Sequence, residues 1–172
     1  MPTWIVLAFL LWFCAADGLI HAESGFQARI GASGDYLEWE HQSNGQIVKE
    51  YLPLYKSGTV RYFSAGVGLQ ERQAEYPHFS LKLVFTAGGK PYVTGVDVAI
   101  EGPDGASIKI PREQVEGPWL FVDLPSGIYH ITASYGTQKR SLHGIKIIAG
   151  TQKILYLRWP EDVGATVTVP TE

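Results

Sequence analysis

The chain has 172 residues, 45% of them hydrophobic and 18% charged, with 19 Gly, 10 Pro and a formal charge of −3. That length suits one domain with a smaller appended segment. The slight acidity excludes the basic excess of a nucleic-acid binder, and the wealth of apolar and aromatic residues excludes a disordered chain.

From Trp4 to Ala16 the run WIVLAFLLWFCAA holds no charged residue. It matches the apolar core of a signal peptide and falls short of the roughly 20 residues that cross a bilayer. Ile20-His21-Ala22 offers cleavage before Glu23, with Ala16/Asp17 as second choice. Residues 1–22 are therefore expected to be a signal peptide that sends the chain to the periplasm or outside the cell. No Lys or Arg precedes the run, so an uncleaved anchor extending through Leu19-Ile20 stays open. Cys14 follows bulky Phe13, where a lipoprotein signal has a small residue. Cleavage at Ala22 leaves no cysteine, hence no disulfide, thiolate metal site or cysteine nucleophile.

Residues 23–79 read as an N-terminal extension with a hairpin and a short helix. Tyr36–Glu40 and Ile47–Tyr51 alternate around Ser43-Asn44-Gly45, and Asn-Gly between apolar runs is a strong hairpin signal. Leu52-Pro53-Leu54 and Lys56-Ser57-Gly58 mark a break, and Thr59–Ser64 suggests a short strand. Gly68–Tyr76 is the one expected helix, ended by Pro77 and too short to stand alone.

Beyond it, period-2 alternation predicts seven strands over residues 80–159. They are Ser80–Thr86, Val96–Glu101, Ala106–Ile110, Trp119–Leu124, Ile128–Tyr135, Lys139–Ile148 and Lys153–Trp159. Trp119–Leu124 is apolar on both faces and reads as a central strand. The spacing and turn signals predict an all-β fold, a seven-stranded antiparallel Ig-like sandwich. The tail 160–172 is polar and expected to be mobile, unless Ala165–Val169 adds an edge strand.

Trp119, Pro125, Gly127 and Tyr129 are the expected structural residues. In Leu124-Pro125-Ser126-Gly127-Ile128-Tyr129 the Pro and Gly form the turn, and Tyr129 is placed to bond back to the corner backbone. The stretch Gly117–Gly150 resembles the core of carboxypeptidase regulatory-like domains, with an aromatic strand, L-P-x-G-x-Y, alternating residues and a strand ending at a glycine turn. Tyr62–Phe85 is also similar to the lead-in of small periplasmic proteins that carry such a domain. The resemblance implies a transthyretin-like (prealbumin-like) sandwich, common in exported bacterial proteins, and carries no catalytic residues with it.

No catalytic, cofactor or metal site is expected. His41, His78, His130 and His143 lack metal-ligand spacing, although His130 and His143, on different predicted strands, could meet across a sheet. A metal-assisted hydrolase through that pair is the remaining enzyme reading. Glu71/Glu75 and Glu113/Glu116 read as solvated pairs. Ser64-Ala65-Gly66-Val67-Gly68 matches neither a nucleophile elbow nor a phosphate loop.

These readings predict an exported non-catalytic module that contacts another envelope protein through a sheet edge or the extension. The alternative is a binder of sugar or peptidoglycan fragments, with Tyr36, Trp39, Tyr51 and Tyr55 as a stacking platform. Neither a nucleic-acid partner nor a membrane span after cleavage is expected.

Overall fold

Alternating apolar residues build strands through most of the chain, and the computed structural model describes residues 26–88 and 92–160. The signal-peptide and tail expectations lie outside those residues. The strands are β1 (Arg29–Ile30), β2 (Tyr36–Ser43), β3 (Gln46–Pro53), β4 (Tyr55–Ser57), β5 (Val60–Ala65), β6 (Leu81–Ala87) and β7 (Asp97–Glu101). After these come β8 (Ser107–Ile110), β9 (Trp119–Val122), β10 (Gly127–Tyr135), β11 (Gln138–Ile147) and β12 (Lys153–Trp159). Among the described residues one short α-helix, α1, spans Leu69–Gln73, and a 3-10 turn spans Arg112–Gln114. No helix among the described residues is long and apolar enough to cross a membrane.

The all-β expectation holds, but the seven-stranded antiparallel arrangement needs correction. Among the described residues, twelve strands form three sheets, in the orders β1-β2-β3, β11-β10-β7-β8 and β12-β6-β9-β5-β4. β4, where a break was expected, and β5, expected as a short strand of the extension, both join the five-stranded sheet. They do so because β5 is apolar on both faces and pairs with β9 from Tyr62↔Val122 to Ala65↔Trp119. The last strand also departs from expectation, since β12 runs parallel to β6. The turn after β11 carries the chain into the other sheet. There Gln152 Nε2 donates to the Phe79 carbonyl at 3.0 Å and Lys153 N–H to the Ser80 carbonyl at 2.8 Å.

The two larger sheets face each other in a β-sandwich-like arrangement. Leu81, Leu83 and Phe85 of β6, Leu120 and Val122 of β9, and Leu157 and Trp159 of β12 share one core with Val98 and Ile100 of β7 and with Tyr129, Ile131 and Ala133 of β10. A second core lies on the other side of the five-stranded sheet, where Phe63, Ala65, Phe79 and Phe121 meet Leu37 and Leu54. Phe63 and Phe121 stack there at 4.6 Å between centroids. The N-terminal sheet thus forms a third layer, and β9 is central with both faces covered. Two buried serines hold the ends of β9. Ser64 Oγ accepts the Gly117 N–H at 2.8 Å, and Ser80 Oγ accepts the Leu124 N–H at 2.7 Å.

The Asn44-Gly45 hairpin forms with both residues left-handed, φ 51° and 77°, the conformation that a two-residue turn between twisted strands requires. The helix is shorter than Gly68–Tyr76 because tertiary pairing takes its second half. Glu75 N–H donates to the Phe26 carbonyl at 2.7 Å, and its carbonyl accepts the Ala28 N–H at 2.8 Å.

Candidate functional site

Two surfaces combine free polar groups with exposure: the outer edge of β3 and the outer face of the four-stranded sheet. Backbone parity defines the first. The Leu54 N–H donates to the Asp35 carbonyl at 2.8 Å, just beyond the last pair of the hairpin, Tyr36↔Pro53. Hydrogen-bonded and non-hydrogen-bonded pairs alternate in an antiparallel ladder. The β2–β3 bonds therefore fall on Leu37↔Leu52, Trp39↔Glu50, His41↔Val48 and Ser43↔Gln46. Ile47, Lys49 and Tyr51 then point their N–H and C=O groups away from β2, toward an edge with no strand beside it among the described residues. Pro53 shares that outward parity, which costs the ladder no donor. Ile47 is 72% exposed and Tyr51 56%.

The other long edges are protected. Strand β11 is bulged between Tyr129↔Ile145 and Ile131↔Leu142, so His143 and Gly144 together oppose His130. From Leu124 to Pro160 the sequence contains no Asp or Glu, and its only formally charged side chains are Lys139, Arg140, Lys146, Lys153 and Arg158. Arg140 Nε donates to the Arg158 carbonyl at 3.0 Å and Lys153 Nζ to the Lys146 carbonyl at 3.3 Å, tying the β11 and β12 edges together. Bulges and lysines are established means of blocking edge pairing.

The outer face of the four-stranded sheet is laid out in rows. His143 and Gly144, His130 and Glu101 form one; Ser141, Thr132, Ala99 and Lys109 form the next. A shallow groove beside these rows is floored by Ala99, Thr132 and Ser134 and flanked by Lys109, Lys139 and Pro111. At its Pro111 end Arg112 pairs with Asp97 through both its guanidinium and its backbone N–H. The guanidinium hydrogen bond is the main cause holding the Asp97 carboxyl below its ordinary range. The His130 and His143 rings meet with centroids 3.7 Å apart. Among the described residues, no three His, Cys, Asp or Glu side chains converge closely enough to hold a metal ion.

The four aromatics expected as a platform do not share a surface. Trp39 is 3% exposed and sits edge-on to Tyr76, 6.4 Å between centroids. Tyr55 stacks on Tyr62 at the sandwich rim. Only Tyr36 and Tyr51 meet, edge to face at 5.5 Å on the outer side of the hairpin. Strand parity explains the split, because Tyr36 and Trp39 are an odd number of residues apart and point to opposite faces.

The expected structural residues have defined roles. The Tyr129 hydroxyl donates to the Pro125 carbonyl at 2.9 Å, with its ring buried, so the hydrogen bond of a tyrosine corner is present. A Cβ on Gly127 would come within 3.2 Å of both the Pro103 and Tyr129 side chains. Trp119 lies outside the inter-sheet core, half-buried on the other face of β9. There the Lys82 ammonium sits 3.5 Å from its ring centroid, and burial lowers the pKa of Lys82.

The remaining polar candidates serve the fold. Glu71 accepts the N–H groups of Gly66 and Val67 at 2.7 and 3.1 Å, filling the glycine turn that a phosphate would otherwise need. His41 is buried, with Nε2 3.3 Å from Glu50 Oε1, while His78 is exposed. Glu113 and Glu116 are exposed as well. The free edge of β3 escaped the sequence reading, although Pro53 and exposed Ile47 were signals for it. No family model, curated protein or solved structure matches the chain.

Proposed function

We propose that this chain is an exported, non-catalytic interaction module of the cell envelope, which takes an extended segment of a partner protein onto the free edge of β3. The apolar run Trp4–Ala16 supports export. The L-P-x-G-x-Y corner and the strands of residues 80–159 support a carboxypeptidase regulatory-like, Ig-like sandwich as the scaffold, enlarged by β4 and β5. The observation that carries the docking role is the contrast between edges. β11 is bulged and its edge is tied to β12 by basic side chains, whereas β3 pairs with β2 over eight residues without a register shift. It presents outward main-chain groups at Ile47, Lys49 and Tyr51, with two large apolar side chains among them. Main-chain pairing supplies affinity in such strand addition, and the alternating side chains supply selectivity.

The test places a photo-crosslinking residue at Lys49 or at Lys139 in the full chain inside producing cells. The Lys49 position should give a discrete adduct with one partner, and the Lys139 position should not. Lys49→Pro, with the crosslinker moved to Tyr51, removes an outward N–H while leaving the β2–β3 ladder intact. It should abolish the adduct and leave the chain folded, with only the small loss of melting temperature expected from the exposed Lys49–Glu40 pair. Equal adducts from both edges, no adduct at Lys49, or an adduct that survives Lys49→Pro would overturn the proposal.

A further inference from the structure

We propose that His130 and His143 form a surface binding site for a divalent transition ion, taking Cu2+ in preference to Zn2+. The two lie on neighbouring strands, β10 and β11, and the bulge is what brings them together. Leu142 and Ile145 both pack against the inter-sheet core although they are three residues apart. Regular alternation would send one of them outward. The extra residue absorbs the mismatch, with Gly144 left-handed at φ 64°. His143 is thereby set over His130, with ring centroids 3.7 Å apart. Bulges recur where a strand must re-aim a side chain.

Three further features suit a metal rather than a packed pair. His130 Nε2 is shielded from water and has no hydrogen-bond partner. On the other side of its ring, Nδ1 lies 3.8 Å from Glu101 Oε2 on β7. That gap is just beyond hydrogen-bond distance; closing it on ion binding would orient the ring and leave Nε2 to bind the ion, the usual support for a metal-bound histidine. His143 is exposed, so rotation of its side chain brings a nitrogen to the same ion without disturbing the sheet. The protein supplies two imidazoles and water completes the coordination. Imidazole donors suit copper and zinc, and Cu2+ binds such a set more strongly than Zn2+.

Titration of the purified full chain with CuCl2, followed by calorimetry and by electron paramagnetic resonance, tests the site. The expected result is one ion per chain with hyperfine coupling from two nitrogens. His130→Asn and His143→Asn should each weaken binding by at least ~10-fold, and Glu101→Gln by less. His78→Asn should leave it unchanged. Melting curves of the variants establish that they remain folded. Unaltered Cu2+ affinity in the His130→Asn/His143→Asn double variant, or a spectrum without nitrogen coupling in the native chain, would overturn the assignment.

Discussion

The five-stranded and four-stranded sheets share one core, yet they meet water differently. The five-stranded sheet is covered twice, by the opposing sheet on one side and by the N-terminal hairpin on the other. Its central strands accordingly carry apolar residues at consecutive positions, as in Tyr62-Phe63 and Leu120-Phe121-Val122, all buried. The four-stranded sheet is covered once. Its strands alternate, with Ile131 and Ala133 buried between the partly exposed His130, Thr132 and Ser134. Among the described residues, the four-stranded sheet has an open outer face, and β3 of the covering layer has an edge with no strand beside it. The layer that covers one face of the sandwich thus also carries that free edge.

Removing a side chain from the doubly covered sheet is the most severe way to test that difference. Phe121→Ala opens a cavity beneath the hairpin, where Phe121 stacks on Phe63, and should cost about 3–5 kcal/mol. Thr132→Ala, on the open face of the other sheet, should change stability by less than ~0.5 kcal/mol. Urea unfolding of both variants measures the pair. Similar losses would mean that the hairpin does not bury the face of β9.

A smaller effect is expected at the corner where the chain leaves the five-stranded sheet for the four-stranded one. Tyr129→Phe keeps the buried ring and removes the hydroxyl bonded to the Pro125 carbonyl. One such bond nets about 1 kcal/mol, so the unfolding midpoint should fall accordingly. A loss well under ~0.5 kcal/mol would mean that the ring alone holds the corner.

That corner was readable in advance because its signal is local: Pro, Gly and Tyr within five residues. The strands from residue 80 onward were readable for the same reason, since their alternation is a property of consecutive side chains. What stayed hidden depends on partners distant in sequence. Val60–Ala65 reads as an isolated apolar run until β9 lies beside it, and nothing local says that it enters the main sheet. Trp39 and Tyr36 both look like surface aromatics until the hairpin is docked and parity turns Trp39 inward. The meeting of His130 with His143 depends on a bulge, which appears only when Leu142 and Ile145 are seen to share a core. The parallel run of β12 is decided by the Gln152 and Lys153 bonds to Phe79 and Ser80, more than seventy residues away in sequence.

The smallest expected effect belongs to the open face itself, where charge pairs work against water. Asp97 accepts hydrogen bonds from the Arg112 guanidinium, the largest cause of its lowered pKa, and from the Arg112 backbone N–H. Its side chain remains 38% exposed, so solvent screening limits the pair to at most ~1 kcal/mol. A carboxyl whose pKa is lower in the folded than in the unfolded chain stabilises the fold above its unfolded value, near 3.9. That contribution disappears as pH falls through the lower, folded value. Asp97→Asn should therefore cost up to ~1 kcal/mol at pH 6, and the variant and the native chain should converge at about pH 2. Urea unfolding at both pH values measures this. A difference that persists undiminished into acid would mean that the side chain acts by shape and hydrogen bonding alone, and that the open face draws no net stability from charge at this pair.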